Sequence, residues 1–112
     1  NDANRWETDR GLPRVSPAAY DANLAEMIAR SRAFGAVPYL CTLTPSTRSE
    51  QHAADVDAYD RILRRVACEE LAPIIDVRKA FLESSEALLL DGLHLSADGH
   101  RLFALTVGMV LA

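Results

Sequence analysis

The chain has 112 residues, which is enough for one small domain with a modest hydrophobic core. Hydrophobic residues make up 49% of it and charged residues 25%, a balance that is typical of a globular protein and excludes disorder along the whole chain. The net charge of -4 and the scattered basic residues argue against a nucleic-acid-binding protein.

The first predicted element is a helix over residues 17–34, after a polar loop at 1–15. Ser16 suits the N-cap position and Pro17 the first helical position, and Gly35 is a good C-terminal stop. Apolar residues recur at helical spacing and predict a core-facing stripe: Tyr20, Leu24, Met27 and Ile28.

A short β-rich segment over 37–43 is bounded by glycine and proline and predicts a buried strand. A polar loop over 44–52 follows. A second helix then ends before Pro73, and its predicted core face carries Val56, Tyr59, Ile62, Leu63 and Val66.

Residues 74–77 predict a second short strand, and residues 78–86 a short helical turn. An apolar stretch at 88–90 then leads into an Asp-Gly loop. Ser96 is expected to cap a last helix that carries Leu102, Phe103, Val107 and Val110.

This alternation of helices and strands predicts an α/β fold with a parallel sheet and helices on both of its faces. Two strands make a thin sheet, because parallel strands are normally buried on both faces. We therefore expect residues 1–112 to form one partial domain, the C-terminal part of a larger doubly wound domain whose remaining strands come from other residues.

Several residues receive plain structural interpretations. Cys41 and Cys68 lie in apolar stretches without metal-ligand spacing and are expected to be small buried hydrophobic residues. Arg64-Arg65 and Arg78-Lys79 are expected to face solvent. No apolar run is long enough to predict a membrane span. Because the chain starts with Asn, its sequence leaves localisation open, cytoplasmic or secreted.

Two further side chains leave alternatives open. His52, placed in the predicted loop, is either a substrate contact at a pocket rim or an exposed loop histidine. Trp6, in the N-terminal loop, either lines a pocket for an acyl group or sugar or is a simple packing residue.

The segment Asp91-Gly92-Leu93-His94 carries the most chemistry. A hydrolytic nucleophile needs a base, and a base imidazole needs an acceptor that fixes its tautomer. An Asp three residues before a His can turn its carboxylate onto Nδ1 across a glycine. Ligands of open α/β sheets also bind beyond the carboxyl ends of the strands. Taken alone, the same pattern describes an Asp-Gly turn with a surface histidine.

The wider sequence resembles the SGNH (GDSL-type) hydrolase family. DGLHLSADGHRLFA is similar to the family's final block, in which Asp-x-x-His precedes a helix, and the opening Asn1-Asp2 is similar to its third block, Gly-x-Asn-Asp. The resemblance covers essentially the whole chain. It implies a three-layer α/β/α fold with a flavodoxin-like parallel sheet.

The resemblance also implies roles. Asp91 would orient His94, His94 would act as general base, and Asn1 would help to bind the oxyanion. A carboxylic ester would be hydrolysed through an acyl-serine intermediate, without a metal or organic cofactor. The family's nucleophilic serine precedes its third block, so we expect this chain alone to have little esterase activity.

Three alternatives remain. The nucleophile could be one of the chain's own serines, none of which lies in a Gly-x-Ser-x-Gly motif: Ser46, Ser49, Ser84, Ser85 and Ser96. Asp91, His94 and His100 could bind a metal, although their spacing is poor. Finally, the chain could be a non-catalytic module that binds a complementary chain, the missing N-terminal half or a second copy.

Overall fold

The computed structural model describes residues 1–6 and 8–112. A 3-10 turn (Asp9–Gly11) precedes six elements: α1 (Pro17–Ala33), β1 (Leu40–Cys41), α2 (Glu50–Glu69), β2 (Ile74–Ile75), α3 (Val77–Glu83) and α4 (Ala97–Leu111). The predicted order of helices and strands is confirmed. None of the helices in the described ranges is long and apolar enough to cross a membrane.

Both strands are shorter than predicted. β1 and β2 pair in parallel over two residues each, with Leu40 opposite Ile74 and Cys41 opposite Ile75. The predicted strand at 74–77 ends early because Asp76 caps α3, its side chain accepting a hydrogen bond from the backbone N–H of Lys79.

Helix caps follow the sequence closely. Ser16, Ser49 and Ser96 cap α1, α2 and α4, and each hydroxyl accepts a hydrogen bond from the backbone N–H three residues ahead. α1 stops at Gly35, which has a φ of 77°. These local signals need no tertiary contact, which is why the sequence predicts them well.

The sheet separates two hydrophobic clusters. Leu40 and Ile74 pack with α1 and α2, whereas Cys41 and Ile75 pack with α3 and α4. This follows from the alternation of side chains along a strand. On the α1–α2 side, the rings of Tyr20 and Tyr59 lie 4.9 Å apart. The structure is therefore an α/β arrangement with helices on both faces of a parallel pair.

Two predictions about the core are wrong, and a third holds only in part. Met27 is exposed, because it flanks the stripe of Tyr20, Leu24 and Ile28, which are four residues apart and share one helical face. Cys68 is also exposed, on the outer face of α2. Cys41 is only half-buried.

A polar network ties the carboxyl ends of the two strands together. Asp60 on α2 accepts hydrogen bonds from the backbone N–H of Leu43 and from Arg64, both at 2.8 Å. Arg64 also donates to both carboxylate oxygens of Asp76, which accepts a further hydrogen bond from the Thr42 hydroxyl. The strand ends are therefore held by side chains of α2 as well as by the short ladder.

The expectation that the basic pairs face solvent is wrong for two members. Arg78 is only 15% exposed, because its guanidinium pairs with Asp57 and donates to the carbonyl of Leu43. Arg64 belongs to the network just described. In both places the arginine forms an ion pair with an acidic side chain that is distant in the sequence, and this pairing turns it away from solvent.

A pH dependence of stability follows from this network. The hydrogen bonds of Arg64 lower the pKa of Asp76 to about 2, below its ordinary 3.8. A carboxylate with a depressed pKa stabilises the fold above its unfolded pKa, and that contribution disappears as the pH falls through the folded pKa. We expect Arg64→Met to reduce the free energy of unfolding at neutral pH, and the difference from wild type to shrink between pH 3.8 and about 2.

Urea unfolding at a series of pH values measures this difference. Arg30→Met is the matched control, because Arg30 and its partner Glu26 are largely exposed on α1. A difference for Arg64→Met that stays constant to pH 2 would contradict the prediction.

Two glycines of α4 give a second test. A Cβ on Gly99 would lie 2.2 Å from the carbonyl oxygen of Leu88, whereas a Cβ on Gly108 would meet open space. We expect Gly99→Ala to lower the free energy of unfolding by about 1–3 kcal/mol, because the helix must move away. Gly108→Ala should raise it by up to about 1 kcal/mol, because alanine favours helix. Thermal unfolding of both variants checks the opposite signs.

Candidate active site

The Asp-Gly loop is held at the base of α4 by its own backbone. The N–H of Leu90 donates to the carbonyl of His94 at 2.8 Å, and the N–H of Ser96 donates to the carbonyl of Leu88 at 2.9 Å. Gly92 has a φ of 80°, which glycine adopts without strain. The loop therefore presents Asp91 and His94 together at the surface.

Asp91 and His94 form the pair expected from the sequence. Nδ1 of His94 lies 2.7 Å from one carboxylate oxygen of Asp91, and the other oxygen accepts hydrogen bonds from the backbone N–H groups of His94 and Leu93. The backbone N–H and then the side chain of His94 hold the pKa of Asp91 well below its ordinary value. The carboxylate is therefore ionised at neutral pH.

This geometry defines the protonation of the imidazole. An ionised carboxylate only accepts hydrogen bonds, so Nδ1 of His94 carries a proton and Nε2 of the neutral ring keeps its lone pair. The side chain is 66% exposed, so Nε2 is open to an incoming group. The pair has the chemistry of a general base with its orienting acid.

The N-terminal segment reaches the same region. Asn1 and Leu93 line one cavity of about 260 Å³, together with Tyr20, His52 and Tyr59. Arg5 anchors this segment to α2 through a bidentate pair with Asp55, at 2.7 and 3.0 Å. The hydrogen bond from Arg5 lowers the pKa of Asp55, so the anchor stays charged at neutral pH.

His52 is not the exposed loop histidine that one interpretation expected; it lines the cavity that Asn1 and Leu93 border, and whether it contacts substrate stays a prediction. It lies in the first turn of α2, not in a loop, and it is only 8% exposed. Its Nδ1 lies 2.6 Å from the hydroxyl of Ser46. The sequence did carry a signal for the helix, because Ser49 three residues before His52 suits an N-cap.

Trp6 is exposed and lines a second cavity of about 170 Å³. The guanidinium of Arg48 lies over its ring, 5.6 Å from the centroid. The cavity is also bordered by Arg5, Gln51 and Asp55. Trp6 therefore contacts Arg48 and forms part of a pocket wall, and whether that pocket takes an acyl group or a sugar stays a prediction.

The candidate serines are engaged in local structure where their contacts are described. Ser49 and Ser96 are helix caps, and Ser84 accepts a hydrogen bond from the backbone of Glu86. Ser46 is buried and bonded to the carbonyl of Gly92. Across the described residues no cluster of three His, Cys, Asp or Glu side chains is placed to hold a metal ion.

Comparison of the chain with known protein families identifies one match. The sequence profile of the GDSL-like lipase/acylhydrolase family matches residues 1–102. No protein with a curated function matches the chain significantly.

Solved structures are similar over about half of their own length. The acetyl xylan esterase AlAXEase has a TM-score of 0.76 at 22% identity, over 86% of this chain and 56% of that one. A catalytic mutant of Axe2, an acetylxylan esterase from Geobacillus stearothermophilus, has a TM-score of 0.77 at 21% identity, over 96% and 53%. LAE5, an alpha/beta hydrolase enzyme from the metagenome of Lake Arreo, Spain, has 0.66 at 30%, over 91% and 49%.

The Asp91–His94 pair can be tested by titration. We expect His94→Ala to raise the pKa of Asp91, because the side-chain hydrogen bond is lost. The pKa should still remain below its ordinary value, because the backbone N–H groups of residues 93 and 94 continue to donate. Carboxyl carbon chemical shifts followed by NMR against pH measure both effects. The pKa of Asp76 serves as the internal control, and an unchanged pKa of Asp91 would contradict the pairing.

Proposed function

Because the chain belongs to the GDSL-like lipase/acylhydrolase family, we propose that it supplies the acid–histidine pair of a serine-dependent carboxylic-ester hydrolase. The observation that carries the proposal is the Asp91–His94 contact of 2.7 Å, on a histidine side chain that is mostly exposed. The chain spans about half the length of the solved structures it matches. Ester hydrolysis by the complete enzyme is therefore part of what we propose.

In the proposed reaction, Nε2 of His94 takes the proton of a serine hydroxyl as the serine oxygen attacks the ester carbonyl. The tetrahedral intermediate collapses to an acyl-serine, and the imidazolium gives its proton to the departing alkoxide. Water then attacks the acyl-serine with the same proton transfers, which releases the acid and restores the serine. Asp91 keeps the imidazole in the required tautomer and stabilises its charged form.

We propose Asn1 as a donor to the oxyanion. Its support is position: Asn1 borders the same cavity as Leu93, the residue that precedes His94 in the chain. The pair of Arg5 with Asp55 holds the N-terminal segment on α2, which supports this role. A donor fixed in advance at the developing charge is a large contributor to acyl transfer.

In this proposal the nucleophilic serine lies outside residues 1–112. The buried hydroxyl of Ser46 and the capping hydroxyls of Ser49 and Ser96 support this view, because each is already engaged in holding local structure. We further propose that residues 1–112 are part of a single three-layer α/β/α domain with a flavodoxin-like sheet. Helices on both faces of the β1–β2 pair support it.

Small-molecule esters are the proposed substrates. Two of the similar solved structures are acetyl xylan esterases, which favours acetylated sugars as the first class to examine. The proposed chemistry needs no metal or organic cofactor, because the histidine performs both proton transfers.

Kinetics of the complete gene product on p-nitrophenyl acetate test the roles. We expect His94→Ala to lower kcat by at least about 10⁴-fold and Asp91→Asn by about 10⁴-fold, because the base is removed or its tautomer changed. Asn1→Ala should lower kcat by about 10²–10³-fold, as expected for loss of one oxyanion donor.

His100→Ala is the matched control, since His100 lies exposed on α4. Full turnover by His94→Ala would refute the assignment of the base. A gene product that hydrolyses no ester but associates stably with another chain would favour the non-catalytic module instead.

A further inference from the structure

A second histidine pair lies directly behind the Asp-Gly loop. Ser46 and His52 are 7% and 8% exposed, and Nδ1 of His52 lies 2.6 Å from the Ser46 hydroxyl. That hydroxyl also lies 3.1 Å from the carbonyl oxygen of Gly92, the residue between Asp91 and His94. The two pairs therefore meet at one peptide group.

The proton on each atom of this chain of contacts can be assigned. The carbonyl of Gly92 only accepts hydrogen bonds, so the Ser46 hydroxyl gives it its single proton. The oxygen of Ser46 then accepts from the backbone N–H of Arg48 and from Nδ1–H of His52. Burial lowers the pKa of His52, which keeps the ring neutral in this role.

Gly92 is held closely by the segment that follows β1. Its carbonyl accepts a second hydrogen bond, from the backbone N–H of Thr47 at 2.9 Å. A Cβ at Gly92 would lie 2.6 Å from the backbone nitrogen of Arg48. The backbones of Gly92 and Arg48 are thus in close van der Waals contact, and the Ser46 hydroxyl lies beside this contact.

The Asp91–His94 pair has little else to place it. Its hydrogen bonds lie within the loop, and both side chains are more than half exposed. The flanking backbone bonds at Leu90 and Ser96 set the shape of the loop, whereas the bonds to the Gly92 carbonyl fix it against the segment between β1 and α2.

We propose that Ser46 and His52 are positioning residues: they hold the Gly92 carbonyl and thereby fix the direction in which His94 presents Nε2. This inference rests on the proposed function, because it concerns the same base. In this role each side chain acts on the base through the peptide of Gly92. A displacement of about 1 Å at a reacting group can reduce turnover by about 10²-fold.

The contacts argue against Ser46 as a nucleophile, although it forms a Ser–His pair. Its hydroxyl is buried, its proton is committed to Gly92, and its oxygen accepts two hydrogen bonds. An attacking serine needs an oxygen that an ester carbonyl can approach.

Kinetics of the complete gene product on p-nitrophenyl acetate test the positioning role. We expect Ser46→Ala and His52→Leu to lower kcat by about 10–100-fold and to leave KM within about twofold. His52→Asn should restore kcat to within about threefold of wild type, since its amide N–H₂ can replace Nδ1–H. His52→Gln, which better mimics Nε2, should not.

Amide hydrogen exchange of Thr47, followed by NMR, gives a readout that is independent of turnover. We expect faster exchange in Ser46→Ala and His52→Leu and wild-type exchange in His52→Asn, because the loop opens more often when Gly92 loses the Ser46 donor or when Ser46 loses the hydrogen bond that orients it. The Asn variant keeps the test decisive if His52→Leu does not fold.

The outcomes separate the inference from the function it rests on. Wild-type kcat and Thr47 exchange in Ser46→Ala and His52→Leu would overturn the positioning role, while loss of activity in His94→Ala would leave the proposed function standing. Full activity of His94→Ala would overturn the function. Labelling of Ser46 by a fluorophosphonate, with complete loss of turnover in Ser46→Ala, would instead identify Ser46 as the nucleophile.

Discussion

The hydrogen bond from the backbone N–H of Leu43 to the buried carboxylate of Asp60 is the constraint on which the site depends. It fixes the direction in which the chain leaves β1. The segment that leaves there carries Ser46 and Thr47 to the carbonyl of Gly92. The two-residue ladder of β1 and β2 alone would define the direction of this segment poorly. The carboxylate of Asp60 on α2 supplies the additional constraint.

The features that the sequence predicts well are local. Serine caps, the glycine stop after α1 and the Asp-x-x-His pairing depend on residues within a few positions of one another. Several of the features it misses depend on residues far apart. Arg78 is drawn from solvent by Asp57 and Leu43, and His52 is buried by a serine and a loop, which no periodicity in either segment could indicate.

The two histidines near the loop show how environment assigns a role to one side chain. Both use Nδ1–H as a donor, His94 to the carboxylate of Asp91 and His52 to the hydroxyl of Ser46. An ionised acceptor stabilises a charged imidazole, and exposure lets Nε2 reach a substrate. A neutral acceptor and burial favour the neutral ring, which suits a structural contact.

Helix α2 is the common support of these parts. His52, Asp55 and Asp60 are buried side chains of α2, and they hold the Gly92 loop, the N-terminal segment and the exit of β1. Each residue of an α-helix turns the chain by about 100°. An insertion or deletion of one residue between positions 52 and 60 would therefore turn one attachment away from the others, so this stretch of α2 has a fixed length while the surrounding loops can vary.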